Sequence, residues 1–305
     1  MELDHVEAFV AIAKQGSFTR ASALLNLSQP AISRRVQILE QELGAQLFDR
    51  LRTGVVVNEA GRAFLPHAEA VLASMRDGLN AVNALRGADA GVVSLAIVGT
   101  LASTALTDRL RRFRDAHRGV DLRLRTALSA EVSALVACGE ASLGIRYERD
   151  PDPHLASTVV HHESLIPVCS GRHRLARAAR VSARALAGER WLAFPPRLTA
   201  AREPYTATLA ERLAASGVIA ADVLHIDSLT AQKRMVEAGF GLALLPESSV
   251  ADELRAGTLR ALSISALRAT IPIVLLYRRR AFQSGAVRAL VALLSDWTVS
   301  KGRSR

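Results

Sequence analysis

Apolar residues recur along this chain at two periods, and the change from one to the other divides it. Over residues 3–13 they stand at positions 3, 6, 9, 10 and 13, the inward stripe of an amphipathic helix. Residues 17–40 carry two more stripes: Phe18, Ala21, Leu24 and Leu25 on the first, Ile32, Val36 and Leu39 on the second. A break at Asn26, Leu27 and Ser28 separates them. The Ser28 hydroxyl is placed to accept from a backbone N–H of the following turn. Pro30 falls in that turn, where its missing N–H costs nothing. Ala21 and Ala23 are small enough for the two helices to approach closely at a steep angle. The pattern predicts a helix-turn-helix buttressed by the helix over 3–13. Gly44 suits the left-handed position that ends the third helix. Residues 47–57 then read as a hairpin, with Thr53 and Gly54 in its turn and Val55, Val56 and Val57 on its second strand.

The helical period returns over residues 58–86. Leu65, Ala68, Leu72, Met75, Leu79 and Val82 alternate spacings of three and four, which predicts a coiled-coil seam between two chains. A stripe packing on its own domain is the other reading. Pro66 is expected to kink this helix, and the run from Gly87 to Gly91 to end it in a hinge. Beyond residue 91 short apolar runs alternate with helical stripes, as in α/β units around mainly parallel sheets. Strands are predicted over 92–98, 120–126 and 141–147, with helices over 101–116 and 130–138. After the bend at Pro151, Asp152 and Pro153, strands follow over 165–169, 191–194, 223–226 and 241–245, with helices over 202–215, 229–238 and 247–256. A run over 271–277 and a helix over 286–297 return to the first set. The expected division is therefore 1–58, 59–90 and 91–305. The last part forms two lobes, about 91–161 with 270–305, and about 162–269.

With Ile32, Val36 and Leu39 turned inward, the third helix shows Gln29, Ser33, Arg34 and Gln37 outward. Such side chains read base edges or clamp phosphates in a major groove, although a plain surface helix also shows them. Charge does not choose between these readings. The chain has 305 residues and a formal net charge of +10. Residues 1–58 balance six basic residues (Lys14, Arg20, Arg34, Arg35, Arg50 and Arg52) against six acidic ones, and 59–90 are slightly negative. Attraction to DNA must then rest on the local placement of Arg20, Arg34, Arg35, Arg50 and Arg52. The excess beyond residue 90 either favours an anionic ligand or forms a solvated, arginine-rich surface. No apolar run reaches the ~18 residues of a membrane span. The start of the chain lacks the basic and apolar regions of a signal peptide, so a cytoplasmic protein is expected. Cys138 and Cys169 lie far apart in apolar surroundings and read as buried thiols rather than a disulfide or metal site.

The run S-F-T-R-A-S-A-L-L-N-L-S-Q-P-A-I-S-R-R-V-Q-I-L-E, followed by L-G-A-Q-L-F-D-R and N-E-A-G, resembles the LysR-type transcriptional regulators over about residues 3–61. The resemblance implies a winged helix-turn-helix. Its base-reading positions fall on Gln29, Pro30, Ser33 and Arg34, and its wing arginine on Arg50; Arg20, Ser28, Gln37 and Arg52 complete the expected DNA-facing set. The chain departs from the pattern at three places. Ser22 stands for a second alanine, Thr53 takes the place of a second basic wing residue with Arg52 just before it, and Asn58 replaces a threonine. The two-lobe pattern, with G-F-G-L-A-L-L-P at 239–246, resembles the family's periplasmic-binding-protein-like effector domain. G-I-R-Y at 144–147 and L-I-P-V-C-S at 165–170 are similar, more narrowly, to the regulators of glycine cleavage and β-lactamase. The resemblance implies double-stranded promoter DNA and a small-molecule effector as partners. It also implies a homodimer through the long helix and a homotetramer of two such dimers.

In open α/β folds ligands bind beyond the carboxyl ends of strands, where helix amino ends offer N–H groups. That rule selects Thr100, Ser103, Thr126, Ser129 and Arg146 from the first lobe, and Phe194, Asp227 and Ser228 from the second. Thr100, Ser103 and Ser129 read equally as helix caps. Arg146, a guanidinium at the mouth of an apolar strand, calls for an anion gripped by its fork or for an internal partner in Glu148 or Asp150. The expected effector is a carboxylate-bearing metabolite, such as an amino acid or a peptide-like fragment. A solute-binding module of the same two-lobe fold is the alternative; the DNA-reading segment and the missing signal sequence speak against it. The chain has no G-x-S-x-G, P-loop or H-E-x-x-H, and His161 and His162 would point to opposite faces of a strand, so neither catalysis nor a cofactor is expected.

Overall fold

The computed structural model describes residues 1–51, 54–84, 91–102, 104–195, 204–218 and 222–297. Three helices open it: α1 (Leu3–Gln15), α2 (Phe18–Leu24) and α3 (Gln29–Leu43). Their ends follow the local chemistry. Ser17 and Ser28 cap α2 and α3, accepting from Arg20 N–H and Ala31 N–H at 3.3 Å each. Gly44 closes α3 at φ 68°. The stripe on α2 is narrower than expected. Phe18, Ala21 and Leu25 share a face, but each residue turns the helix by about 100°, so Leu24 is carried outward and is 59% exposed. Ala23 is exposed as well. The close contact with α3 falls to Ala21 and Ser22, whose hydroxyl donates to the Thr19 carbonyl at 2.9 Å.

The hairpin of β1 (Phe48–Leu51) and β2 (Gly54–Val57) packs on these helices. The Phe9 ring lies 5.4 Å from those of both Phe48 and Phe64, and Phe18 lies 6.1 Å from Phe48. The buried Glu40 carboxylate accepts from Leu47 N–H at 2.7 Å and fixes the approach to the hairpin. Asn58 then starts α4 (Glu59–Ala84), accepting from Gly61 N–H and donating to the Gln46 carbonyl, both at 2.9 Å. The departure from threonine at this position thus caps one element and ties down another. Helix α4 runs on through Pro66. Its apolar seam divides. Leu65, Ala68 and Leu72 join the core of the winged unit, whereas Val71, Met75, Leu79 and Val82 are exposed. Packing on its own domain is therefore the correct account of the first half, because that half lies against α1.

The remainder alternates strands and helices: β3 (Gly91–Val98), α5 (Thr104–Ala116), β4 (Val120–Ala127), α6 (Ser129–Ala137), β5 (Leu143–Tyr147) and β6 (Leu155–Ser170). Then come β7 (Arg190–Ala193), α7 (Pro204–Ala215), β8 (Asp222–His225), α8 (Leu229–Glu237), β9 (Leu242–Pro246) and α9 (Ala251–Ala256). The short β10 (Leu259–Ala261), β11 (Ala269–Arg278) and α10 (Gly285–Ser295) complete it. The strands bond in the order β4-β3-β5-β11-β6-β9-β7-β8, with β10 on β6. Each lobe keeps the parallel ladders that intervening helices require: β3 with β4 and β5, and β7 with β8 and β9. The junction is different. β11 runs antiparallel to β5 and β6, and β6 antiparallel to β9 and β10. The expectation of mainly parallel sheets missed this because β6 is 16 residues long, and its middle carries the polar His161, His162 and Glu163. The single helix expected over 247–256 is instead a 3₁₀ turn, Glu247–Ser249, followed by α9.

The winged unit is fastened to the first lobe. Asp77 of α4 accepts two bonds from the Arg278 guanidinium, at 2.9 and 2.7 Å, and Arg76 donates to the Cys138 carbonyl at 2.7 Å. Lys14 of α1 reaches Glu140 at 2.7 Å and Glu69 at 3.4 Å. Burial opposes the Lys14 charge, but the bond and charge of Glu140 outweigh it and raise the Lys14 pKa. For Glu140 burial is likewise outweighed, by Lys14, Arg125 and Arg76, and its pKa is lowered.

The tightest approach in the winged unit makes a prediction. A Cβ on Gly61 would stand 2.2 Å from the Leu47 carbonyl oxygen. Gly61→Ala is expected to destabilise the protein by about 1–3 kcal/mol, the range for overpacked sites. Thermal melting of the full chain checks this, and an unchanged midpoint would contradict the packing described.

Candidate functional site

The outward face of α3 presents Gln29, Pro30, Arg34 and Gln37 to solvent, with Ser33 half-buried beside them. Ile32, Val36 and Leu39 are buried on the opposite side. The Ser28 oxygen is engaged as the helix cap, at the end of α3 where Gln29 and Pro30 are exposed. Arg20 is exposed on α2. Arg34 has no side-chain partner among the described residues. Arg35 differs from the expectation, since it donates to Asp4 at 2.8 Å and ties α3 to α1. One position along the helix decides which arginine serves the fold and which faces outward. In the hairpin, Arg50 pairs with Val55 through the backbone, and Val55 N–H donates to the Gly16 carbonyl at 3.4 Å, docking the hairpin on the end of α1. The Arg50 side chain and all of Arg52 lie outside the described residues.

Between the lobes is an open cavity of about 1130 Å³. Thr100 and Thr126, at the carboxyl ends of β3 and β4, line one wall, and Phe194 and Asp227 the other. These are four of the eight residues selected from the sequence. Thr100 Oγ1 lies 3.0 Å from the Tyr147 hydroxyl, which holds it against the sheet. The amino ends of α5, α6 and α8 open onto the cavity through Ala105, Leu128 and Thr230. Four of the ionisable lining groups, Glu131, Lys233, Asp252 and Arg255, already have partners. Glu131 accepts from Leu128 N–H at 3.1 Å, and Lys233 reaches Glu253 at 2.6 Å and the Ser249 carbonyl at 2.7 Å. Arg255 pairs with Asp252 at 2.9 Å.

Three of the other four selected residues are placed elsewhere. Arg146 does not line the cavity. Its guanidinium bonds to the Asp150 carboxylate, to Ser133 Oγ at 2.7 Å and to the Tyr147 carbonyl at 3.0 Å, so it clamps α6 to the end of β5. The internal acid satisfies the fork that an effector was expected to fill. Ser129 is buried at 2% exposure, beneath the start of α6 rather than at its mouth. Ser228 caps α8, accepting from Ala231 N–H at 3.3 Å. Ser103 lies outside the described residues.

Sequence reasoning missed Lys233, Ser248 and Ser249 in the second wall. The serines follow the carboxyl end of β9, so the strand-end rule that selected Thr100 would have found them. Behind them stands Glu163, 4% exposed, which accepts from Ser248 N–H at 3.3 Å and from Ser248 Oγ at 2.6 Å. Burial holds its pKa above the ordinary carboxyl range, against the lowering effect of these two bonds. Both cysteines are buried and free, and burial beside Glu189 pushes the Cys169 thiol up to about 11. That leaves little thiolate at neutral pH. His161 stacks on Trp297, rings 5.1 Å apart and 3° from parallel. Among the described residues no group of three His, Cys, Asp or Glu is placed to hold a metal ion, and no helix is long and apolar enough to cross a membrane.

Known proteins share this arrangement. Residues 3–62 match the bacterial regulatory helix-turn-helix protein, lysR family, and residues 86–298 match the LysR substrate binding domain. The uncharacterized HTH-type transcriptional regulator YdcI of Escherichia coli (strain K12) is 31% identical over 289 residues, covering 93% of this chain and 92% of that protein. A full-length OxyR variant from Pseudomonas aeruginosa superposes with a TM-score of 0.70 at 18% identity, over 97% of this chain and 94% of its own. Full-length CbnR, complexed with its target DNA, gives a TM-score of 0.63 at 22% identity, over 96% and 99%. These two structural likenesses concern the fold. The matches to the helix-turn-helix and to the two-lobe domain together settle the family: the chain belongs to the LysR-type transcriptional regulators, with a DNA-binding unit and an effector-binding domain.

Proposed function

We propose that this regulator grips promoter DNA as a homodimer, and that a small carboxylate-bearing metabolite between its lobes alters the grip. Gln29, Pro30, Ser33 and Arg34 read bases in this account, with Arg20, Ser28, Gln37, Arg50 and Arg52 placing the reading helix on the backbone. DNA reading belongs to residues 1–58, dimerisation to 59–90 and effector sensing to 91–305. An assembly of two dimers and a cytoplasmic location rest on the family resemblance. One observation supports the reading above the others: α3 turns a polar face outward, while a cavity between two lobes is tied to it through α4 by the Asp77–Arg278 pair.

The support for an anionic effector differs from the sequence expectation. Arg146 takes no part. Lobe I instead offers the Thr100 and Thr126 hydroxyls beside the amino ends of α5 and α6, where backbone N–H groups and the helix dipole favour negative charge. Its charged lining group, Glu131, is turned onto Leu128 N–H.

Arg34→Ala is expected to weaken specific binding at least about fivefold, since a good base contact is worth about 1–3 kcal/mol. Fluorescence anisotropy with operator DNA at fixed salt measures it, and unchanged affinity would remove Arg34 from the interface. For the dimer, Leu79→Arg is the informative change, because Leu79 is 61% exposed in the single chain whereas Leu72 belongs to the core of the winged unit. Burying an unpaired charge costs several kcal/mol, so the variant is expected to sediment as a monomer; an unaltered sedimentation coefficient refutes the seam. For the effector, a carboxylate metabolite that raises the melting temperature should lose most of that effect as its primary amide, and Arg146→Lys should preserve the difference. Equal effects of acid and amide would remove the anion from the proposal.

A further inference from the structure

The second wall of the cavity has its hydrogen-bond direction fixed from behind. Ser248 lines the cavity, while Glu163 of β6 lies beneath it and is not itself a lining residue. One Glu163 oxygen accepts from Ser248 N–H at 3.3 Å and the other from the Ser248 hydroxyl at 2.6 Å. A backbone N–H can only donate, and an ionised carboxylate can only accept. The Ser248 proton is therefore committed to Glu163, and the oxygen offers lone pairs to whatever enters the cavity. Ser249 repeats the arrangement, its hydroxyl donating to the Pro246 carbonyl at 2.7 Å. Asp227, exposed on the same wall, adds a carboxylate. The two cations of this wall, Lys233 and Arg255, are turned to Glu253 and Asp252.

We propose that Glu163 is a specificity-determining positioning residue. By orienting Ser248 it makes the Ser248–Ser249 part of the second wall an acceptor, so the effector carries a hydrogen-bond donor, an ammonium or a hydroxyl, where it meets that part, at the end opposite its carboxylate. This rests on reading the inter-lobe cavity as the effector site and narrows the effector to amino and hydroxy carboxylates. A dicarboxylate of the same length would set its second acceptor against the Ser248 and Ser249 lone pairs. A site built for a donor rejects an analogue lacking it far more strongly than an apolar pocket rejects a lost methylene.

Glu163→Gln tests this with little change of shape. The amide oxygen must face Ser248 N–H, because that group can only donate. The amide NH₂ then faces the hydroxyl, whose proton turns toward the cavity, and the wall changes from acceptor to donor at Ser248. The experiment is calorimetric titration of the full-length protein at pH 8, since high pH favours the ionised carboxylate. The probes are the three- to six-carbon ω-amino acids and ω-hydroxy acids, the dicarboxylates of equal length, and the matching monocarboxylates and monoamines. In the unmodified protein the best ω-amino or ω-hydroxy acid is expected to bind at least about tenfold more tightly than its dicarboxylate. Glu163→Gln should bring the two within about threefold or reverse them, and Ser248→Ala should remove most of the preference. Dicarboxylates that match the ω-amino acids in the unmodified protein overturn the inference. So does the absence of binding by every ω-amino acid and every ω-hydroxy acid of the same lengths, or a ratio unchanged in Glu163→Gln with melting and operator binding intact. If Glu163→Gln does not fold, an unchanged ratio in Ser248→Ala overturns it. Monoamines that bind as tightly as the ω-amino acids would instead overturn the carboxylate reading of lobe I, leaving the donor preference in place.

Discussion

Both lobes hang on one antiparallel ladder. β6 and β11 make ten registered pairs, from Leu155 with Arg278 to Leu165 with Ala269. Lobe I joins this ladder through β5, and lobe II through β9 and β10. A change in the angle between the lobes has to bend or twist these two strands, because no other strand pairing crosses between them in the described sheet. The ladder also has a fault. Its register shifts between Ile273 and Val274, leaving Val160 without a partner, and such an extra residue bends a strand and increases its local twist. Glu163, which braces the cavity wall at Ser248, lies three residues beyond that point. At the far end of β11, Arg278 grips Asp77 on α4. The strand that braces the cavity wall, β6, is thus paired along ten residues with β11, the strand that holds the helix above the DNA-reading unit.

Charge in this protein is mostly local structure. The net +10 said nothing definite about partners, and the individual pairs explain why. Arg35 ties two helices through Asp4, Arg278 ties two domains through Asp77, and Arg146 ties α6 to the loop after β5 through Asp150 and Ser133. The Arg146–Asp150 pair is about nine-tenths buried on both sides. Removing one member of such a pair strands the other without solvent, which costs about 3–5 kcal/mol. Its role is to fix where α6 sits on β5, and hence where the Thr126 end of the cavity lies. The ionic groups near the cavity follow the same logic, since they shape the walls before they meet a ligand.

The legible parts of the sequence were those in which neighbours along the chain decide the outcome. Ser28, Pro30 and Gly44 marked both ends of α3, and the Ile32, Val36 and Leu39 stripe gave its facing, because caps and helical period are properties of a few adjacent residues. In the seven-residue α2 the same method failed at Ala23 and Leu24, since two turns are too few to fix a phase. The first half of β6 was hidden by its polar residues, which a strand inside a sheet accepts when each finds a partner. The choice for Arg146 between an anion and an internal acid depended on where α6 would come to rest against β5. The Glu163–Ser248 contact spans 85 residues, so no local pattern could announce it. Thr100, Thr126, Phe194 and Asp227 were found because strand ends are set by topology, and Ser248 was missed where that rule was not pursued to β9.

The divided seam of α4 completes the mechanical argument. Ala68 and Leu72 are part of the winged unit's core, so the helix and the reading surface move as one body. Over the next three turns Met75, Leu79 and Val82 are exposed, and between them Asp77 holds Arg278. A helix rises about 1.5 Å per residue, so these features, from Ala68 to Val82, lie within roughly 21 Å along one axis. A partner helix packed on the exposed stripe would fix the spacing of two reading surfaces. The arginine at the end of β11 acts on the same stretch of helix. A displacement of lobe I by an Å or so at Arg278 is applied beside that seam, and a rigid helix transmits it to α3 as a change of angle or spacing. In a dimer reading two half-sites a helical turn apart, such a change of angle or spacing would bear on affinity without any contact between effector and DNA.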